Sequence, residues 1–446
     1  MTIQLIALLD GREVGTVLYK HARLSFVYND AWRADPNAYP LSLSMPLASA
    51  EHGHARIEAF LWGLLPDNDR VLENWGRRFQ VSPKNVFRLI AHVGEDCAGA
   101  VQFVRPERLE ALQSDTVAKE VKWLTEDDVA ERLRALRADH SAWRSAQDTG
   151  QFSLAGAQPK TALLFERKRW GVPSGRVPTT HILKPPTGEW DGHPPRRQRP
   201  VAGDPGHAEN EHFSLRLARA AGLIVPNSSV QHFGEEIAIV VERYDRVRNG
   251  GRWARIHQED MCQALGLYPT RKYESDGGPG ARTIAELLRE QSSNPEEDVQ
   301  SFVDANIFNW LIAGTDAHAK NYALLLGGGG AVRLAPLYDL ASILPYQTVD
   351  VPKAKLAMKI GGEYRLRNIG LRNWKKFAVD LRLQEDWLIE RIRAMAASLP
   401  DQAATIQNEL ETAGLLHGTI TRLARRLKAR ASSCQKLLPG SDSAAG

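Results

Sequence analysis

Residues 301–346 read SFVDANIFNWLIAGTDAHAKNYALLLGGGGAVRLAPLYDLASILPY. The first third carries apolar residues at helical spacing, which predicts a helix that ends at Gly314. A polar loop, Thr315–Asn321, follows the helix. Two apolar runs on either side of four glycines then predict a β-hairpin over residues 322–334. The sequence therefore predicts a helix, a polar loop, a hairpin and a second acidic loop in that order.

Three polar side chains of this stretch fit the chemistry of phosphoryl transfer. That reaction needs a carboxylate that orients the attacking hydroxyl, and an asparagine and a second carboxylate that hold Mg²⁺ on the phosphates of ATP. Asn321 lies 5 positions and Asp339 lies 23 positions after Asp316, on either side of the hairpin, which is the layout of protein kinases. The alternative is that these are ordinary turn residues. The Asp-x-x-x-x-Asn spacing alone favours that alternative, and the helix, the hairpin and the second aspartate favour catalysis.

Composition and length describe an ordinary globular protein of two or three domains. The chain has 446 residues, of which 43% are hydrophobic and 25% charged. Its net charge of +4 permits contact with nucleic acid but does not require it. The three cysteines are far apart and form neither a disulfide framework nor a zinc motif, which favours a reducing cytoplasm. No signal peptide and no apolar run of membrane-spanning length is found, so no membrane contact is expected.

The pattern of apolar runs and loops divides the chain into five parts. In the first part we expect an edge strand at 40–47, PLSLSMPL, and no catalytic cluster. Near the C-terminus, the arginines and lysine of a basic helix at 417–436 predict a solvated face, with an acidic partner or DNA as the alternative. The five parts are an α+β domain at 1–108, a helical connection at 109–150, a β-rich lobe at 151–250, a mostly helical lobe at 251–436 and a disordered tail at 437–446.

Four features of the β-rich lobe suit nucleotide binding. The run Ala155-Gly156-Ala157-Gln158 has small residues that let backbone N–H groups approach phosphates, and Lys160 adds charge. Lys184 ends a short strand, where a lysine could grip phosphates, and Glu211 near the start of the next helix could pair with it. The strand that runs into Glu242 and Tyr244 could present its backbone to adenine. Taken singly, an ordinary turn is the better interpretation of the small-residue run, and a surface lysine that of Lys184.

Taken in order, these motifs resemble the HipA family, the serine/threonine-kinase toxins of HipA–HipB toxin–antitoxin pairs. The resemblance covers nearly the whole chain and departs from the family at Pro159, where a glutamate is usual. It implies an α+β, protein-kinase-like two-lobed fold, with a β-rich small lobe, a helical large lobe and an additional N-terminal α+β domain. The most specific matches are SLAGAQPK (153–160), PTTHILK (178–184), VERYDR (241–246), HQEDMCQALGL (257–267), KYESDGGPG (272–280), TDAHAKN (315–321) and PLYD (336–339), with PLSLSMPL and GLLPDN in the first domain.

The resemblance also implies a role for each matching residue. Asp316 would be the catalytic base, and Asn321 and Asp339 would hold Mg²⁺. ATP would be bound by the remaining matches, and Ser153 would be an autophosphorylation site. The implied nucleotide-binding residues are Ala155, Gly156, Ala157, Gln158, Lys160, Lys184 with its partner Glu211, Glu242, Tyr244 and His318.

The family further implies partners and a biological role. The kinase would phosphorylate an aminoacyl-tRNA synthetase, glutamyl-tRNA synthetase being the prototype, and so arrest translation and growth. A HipB-like helix-turn-helix antitoxin would neutralise it, and the pair would co-repress their operon by binding operator DNA. Two other functions share parts of the pattern: a small-molecule phosphotransferase, which can use the same Asp…Asn…Asp layout, and a non-catalytic corepressor.

Overall fold

The computed structural model describes residues 3–113, 121–139, 152–186 and 206–438. The chain divides into two compact units, each assembled from separate segments. Of the tail predicted at 437–446, only Leu437 and Leu438 fall within the described residues. The first unit is Met1–Pro185, Gln231–Arg271 and Ala323–Ala335, and the second is Pro186–Val230, Lys272–Tyr322 and Pro336–Gly446.

The first unit begins with a five-stranded sheet of order β4-β3-β2-β1-β5. Asp10 and Gly11 join β1 to β2 and both have positive φ (46° and 81°), as a tight two-residue hairpin turn requires. The apolar sides of this sheet and of the four helices that accompany it form one core. The elements are β1 Ile3–Leu9, β2 Arg12–Lys20, β3 Arg23–Tyr28, α1 Asp30–Arg33, β4 Glu51–His52, α2 His54–Leu64, α3 Asp69–Phe79, α4 Val86–Val93 and β5 Val101–Val104.

The prediction of an edge strand at 40–47 is wrong. This stretch forms turns, with one isolated bridge between Ser42 and Met45. The Tyr28 hydroxyl holds it, accepting from the Leu41 N–H at 2.8 Å and donating to the Met45 carbonyl at 2.6 Å. A buried side chain therefore supplies the bonds that a neighbouring strand would have made.

A six-stranded sheet of order β10-β11-β9-β7-β8-β6 also lies mainly in the first unit. Helix α6 packs on it through Val129 and Leu133 against Leu163, Leu183 and Val240. The connecting segment 109–150 thus holds a strand, β6, besides its helices. The elements are α5 Leu109–Gln113, β6 Lys122–Leu124, α6 Glu126–Ala138, β7 Thr161–Glu166, β8 Arg169–Val172, β9 His181–Lys184, β10 Ser228–Phe233 and β11 Glu236–Glu242.

Two small sheets complete the first unit. The predicted hairpin is confirmed: β15 and β16 pair antiparallel, with Leu324 opposite Leu334. Strand β14 adds to its other side, with Asp260 opposite Ala323. The elements are β12 Arg246–Asn249, β13 Arg252–Arg255, β14 His257–Asp260, α8 Met261–Ala264, β15 Ala323–Gly327 and β16 Ala331–Leu334.

The second unit is mostly helical. Trp310 of α10 and Trp374 of α11 meet edge to face with ring centroids 5.3 Å apart, and both are fully buried. Helix α10 ends two residues before the predicted Gly314, because Ala313 takes the left-handed conformation (φ 53°) and caps it. No helix in the described part of the chain combines the length and hydropathy needed to cross a membrane. The elements are α7 His207–Ala220, α9 Ala281–Gln291, α10 Pro295–Ile312, β17 Lys355–Ile360, β18 Glu363–Arg365, α11 Leu371–Asp380, α12 Glu385–Thr412 and α13 Gly418–Lys436.

Candidate active site

The loop that follows α10 is held by hydrogen bonds to its own backbone. The Asp316 carbonyl accepts from the His318 N–H and from the Asn321 side-chain amide, both at 2.8 Å. The His318 carbonyl accepts from the Asn321 N–H at 2.9 Å. These bonds fix Asp316 and Asn321 relative to each other. Because the amide nitrogen of Asn321 is used in the loop, its oxygen is the atom that can coordinate a cation.

Tyr273 braces this loop from a distant part of the sequence. Its hydroxyl donates to Oδ1 of Asp316 at 2.5 Å, and its ring meets the His318 ring edge to face at 4.9 Å. The neighbouring Lys272 carbonyl accepts from the Ala319 N–H at 3.1 Å. Sequence reasoning gave Tyr273 no role, although it lies in the motif KYESDGGPG. The half-buried Asp316 carboxylate is thus oriented by a hydroxyl 43 positions away in the sequence.

Asp339 lies on a segment bonded to both ends of the same loop. The Tyr338 hydroxyl donates to the Lys320 carbonyl at 2.7 Å. Further on, the Ser342 hydroxyl donates to the Ile312 carbonyl at 2.5 Å. Asp339 itself has a φ of 57°, a left-handed conformation that aspartate tolerates better than most residues and that is frequent at functional sites. The second unit therefore holds Asp316 and Asn321 on one loop and Asp339 on a segment that is hydrogen-bonded to the residues at its two ends. All three side chains carry oxygen ligands of the kind that Mg²⁺ prefers.

Helix α7 is attached to the segment that follows Asp339. The Asn210 amide donates to the Ser342 carbonyl at 2.7 Å, and its oxygen accepts from the Ser342 N–H at 3.1 Å. Glu211, the next residue, is 2% exposed. Lys184 and Glu211 belong to different units, so their pairing stays a prediction.

In the first unit, the loop predicted to cover phosphates closes on itself. The Lys160 ammonium donates to the Ala155 carbonyl at 2.8 Å. Gly156 has a φ of +103°, and a Cβ there would lie 2.6 Å from the Lys160 nitrogen. Any other residue would be strained at this φ, so glycine suits the position, and the Lys160 ammonium lies against its backbone. Ser153 is fully buried, and its hydroxyl donates to the Leu64 carbonyl at 2.8 Å.

The N-terminal domain holds this loop through the GLLPDN segment. The Asp67 N–H donates to the Gly156 carbonyl at 3.0 Å, and the Asn68 amide donates to the Ala157 carbonyl at 3.5 Å. Gln158, next in the chain, is half-buried. The domain in which no catalytic cluster was expected thus supports the loop directly.

Lys184 lies on β9, an inner strand of the six-stranded sheet. It is 6% exposed and stands opposite Ile239 of β11. Glu242, at the end of β11, stands opposite His181 at the start of β9. The Tyr244 hydroxyl donates to Oε1 of Gln258, which fixes the chain just beyond β11. Lys184 and β11, the strand predicted to present its backbone to adenine, are therefore neighbours in one sheet.

The remaining charges of VERYDR form a buried ion network that sequence reasoning missed. Arg243 donates to Asp245 through two nitrogens, at 2.8 and 3.0 Å. Asp96 accepts from Arg246 at 3.0 Å and from Arg255 at 3.4 Å. Burial alone would raise the pKa of Asp96 and of Asp245, but the guanidinium groups outweigh it and lower both pKa values. The network joins the N-terminal domain to the strand that carries Glu242.

Comparison with known proteins places the chain in a family. Residues 5–104 match the HipA N-terminal domain, and residues 152–403 match the HipA-like C-terminal domain. The chain belongs to the HipA family. It is 31% identical over 399 residues to the serine/threonine-protein kinase toxin HipA of Shewanella oneidensis. This alignment covers 85% of this chain and 83% of that protein. The chain is 35% identical over 425 residues to Y4mE of Sinorhizobium fredii, which carries the name of a kinase, covering 95% and 96% of the two chains.

A solved structure shows the same fold. It is the complex of the Shewanella oneidensis toxin–antitoxin system HipA, HipB and its operator DNA, of which a matching chain has a TM-score of 0.79 and 26% identity. The match covers 97% of this chain and 98% of that chain. The expected α+β, protein-kinase-like fold is thereby confirmed.

Proposed function

We propose that this HipA-family chain is an ATP-dependent serine/threonine-protein kinase. The observation that carries the proposal is the pair of hydrogen-bonded loops that hold Asp316, Asn321 and Asp339 in one unit. Asp316 would orient the substrate hydroxyl and accept its proton, and Asn321 and Asp339 would hold Mg²⁺. Mg²⁺–ATP, when bound, would supply the γ-phosphoryl group.

The first unit supplies groups suited to holding the nucleotide. The backbone of 155–158, with Lys160 and Lys184, would contact the phosphates, and the chain at Glu242 and Tyr244 would offer backbone groups to adenine. The positive φ of Gly156 and the inner-strand position of Lys184 support these roles. His318, braced by Tyr273, would lie beside the nucleotide.

The kinase would act as the toxin of a toxin–antitoxin pair in the cytoplasm. One relative supports this role, HipA of Shewanella oneidensis, which is named as a kinase toxin and whose solved structure is a complex with HipB and operator DNA. A HipB-like helix-turn-helix protein would be the antitoxin and would carry the contact with operator DNA. We propose an aminoacyl-tRNA synthetase as substrate, with glutamyl-tRNA synthetase as the first candidate, so that phosphorylation arrests translation.

Ser153 would be the site of inactivating autophosphorylation. Its hydroxyl is fully buried and donates to the Leu64 carbonyl, so a phosphate cannot be accommodated in that place. The loop must leave its position before Ser153 reacts, and up to two added negative charges would keep it out. Mass spectrometry during turnover should find phosphate on Ser153, and Ser153→Ala should stay active longer than the wild type. Absence of phosphate on Ser153 in an active preparation would refute this step.

The proposal as a whole is tested by labelling and by phosphoproteomics. Purified wild-type protein with Mg²⁺ and [γ-³²P]ATP should transfer label to itself and to a protein substrate, and induced cells should show phosphopeptides that are missing with Asp316→Asn. Label found only on small molecules would indicate a small-molecule phosphotransferase. No transfer and no nucleotide binding would indicate a corepressor.

Tyr273→Phe should lower the turnover number about tenfold and leave the KM for ATP unchanged. The variant loses the hydroxyl that orients Asp316, and a hydrogen bond to a charged group contributes about 1.5–3 kcal/mol. Steady-state kinetics measure both constants. Tyr268→Phe is the matched control, because the Tyr268 hydroxyl donates to a carboxylate of the first unit, that of Glu58, at 2.5 Å. Equal activity of the two variants would contradict the orienting role.

Gly156→Ala should raise the KM for ATP about tenfold, because a side chain at positive φ costs about 1–2 kcal/mol and the new methyl group collides with Lys160. Nucleotide-binding isotherms would show the same loss. Gly234→Ala is the control, since Gly234 also has positive φ (+56°) but nothing lies within 4 Å of its Cβ position. If both variants bind ATP like the wild type, the loop is not a phosphate site.

A further inference from the structure

The basic helix α13 has two different charged faces. Arg425 and Lys428 are exposed, as the predicted solvated face requires. Arg422, Arg426 and Arg430 recur every four residues, so they share one side of the helix, and each is half-buried. For these three the predicted solvated face is wrong. In the described part of the chain none of them has a carboxylate partner; each donates to backbone carbonyls instead.

Arg430 caps the C-terminus of α10. Its guanidinium donates to the Trp310 carbonyl at 2.6 Å and to the Leu311 carbonyl at 3.1 Å. The last four carbonyls of a helix lack helical partners, and their partial negative charge attracts a cation. Burial lowers the pKa of Arg430. Asp316 follows only four residues after the end of this helix.

Arg426 and Arg422 hold the segment that follows Asp339. Arg426 donates to the Leu344 carbonyl at 2.8 Å and to the Tyr346 carbonyl at 3.3 Å. Arg422 donates to the Pro345 carbonyl at 3.3 Å. Three consecutive carbonyls, which begin five residues after Asp339, are thus bound by two neighbouring turns of α13.

We propose that Arg422, Arg426 and Arg430 are positioning residues that set the placement of Asp339 relative to Asp316. Helix α13 donates to carbonyls that precede Asp316 and to carbonyls that follow Asp339. Its position therefore constrains both carboxylates. The planar guanidinium can serve two carbonyls at once, which a lysine ammonium does less well. This inference rests on the proposed function, because it assigns the two aspartates to one Mg²⁺–ATP site.

The kinetic test compares Arg426→Met and Arg430→Met with Arg425→Met, a matched control on the exposed face of the same helix. We expect the first two variants to lower the turnover number at least about tenfold, since small displacements of catalytic groups cost up to about 10² in rate. The Mg²⁺ concentration for half-maximal activity should rise, and the KM for ATP at saturating Mg²⁺ should stay within about twofold. Arg426→Lys should recover only part of the loss. Kinetics identical to those of Arg425→Met would overturn the proposal.

Hydrogen–deuterium exchange gives a second readout that does not depend on activity. In Arg426→Met, amides of residues 313–321 and 338–346 should exchange faster, while those of α9 and α11 keep wild-type rates. A uniform rise across the second unit would show a merely structural role and would overturn the proposal. If the wild type transfers no phosphate, the proposed kinase function fails, and selective exchange in the two loops still decides whether the arginines position them.

Discussion

Asp316→Asn is expected to lower the turnover number for phosphoryl transfer by about 10²- to 10⁴-fold, the range for loss of a general base. Asparagine keeps an oxygen that can accept from the Tyr273 hydroxyl, and the Asp316 backbone carbonyl keeps its bonds from His318 and Asn321. The loop geometry should therefore survive while the basic group is lost. The thermal midpoint should change by no more than a few degrees.

Steady-state and single-turnover kinetics with Mg²⁺–ATP measure this loss, and growth after induction measures toxicity. Asp401→Asn, at an exposed position of α12, is the control for changing one charge. It should behave like the wild type in both assays. An Asp316→Asn protein that still arrests growth and transfers phosphate at the control rate would remove Asp316 from the base role.

Local signals in the sequence predicted the framework of the candidate site. The apolar periodicity before Gly314 and the four glycines after it predicted the end of α10, the loop and the β15–β16 hairpin to within one or two residues. These features depend on neighbouring residues only: helical spacing, turn chemistry and alternation. The Asp10-Gly11 turn was predictable for the same reason.

What the sequence could not predict are pairs of residues brought together by the fold. Tyr273 meets Asp316, and Asp96 meets Arg246, across 43 and 150 positions, and no periodicity encodes such a contact. The prediction of a solvated basic face on α13 was wrong for another reason. Helical spacing places Arg426 on a polar stripe, but a long side chain can reach backbone carbonyls under the surface as well as water.

Asp96→Asn is expected to lower the free energy of unfolding of the first unit by about 3–5 kcal/mol, the cost of breaking a buried ion network from one side. Among the described residues, every polar group that contacts the Asp96 carboxylate is a donor: the Thr179 N–H at 3.0 Å, the Thr179 hydroxyl at 2.6 Å, and Arg243, Arg246 and Arg255. The side-chain N–H₂ group of an asparagine at this position would face these donors and find no acceptor. Arg255 would lose its ion pair with Asp96, and Arg243 and Arg246 would be left with the single carboxylate of Asp245.

Urea denaturation followed by tryptophan fluorescence measures this change. The control is Asp380→Asn, which breaks an exposed Lys376–Asp380 pair at 2.8 Å on α11 and should cost less than about 0.5 kcal/mol. A loss for Asp96→Asn no larger than that of the control would show that the network contributes no net stability.

The pH dependence separates the charge of Asp96 from its packing. Its pKa is lowered in the folded state, so its contribution is complete above the unfolded pKa of about 3.9 and is lost as the pH falls through the folded value. The difference between wild type and Asp96→Asn should therefore be constant from pH 5 to 8 and shrink below about pH 4. His257 lowers the stability of both proteins at a higher pH than Asp96 does. Burial lowers the pKa of His257 to about 4 in the folded state, so unfolding takes up a proton between about pH 6.5 and 4 and the stability falls in that range. Because that decline is common to both proteins, a difference that persists unchanged at pH 3 would assign the loss to packing instead of charge.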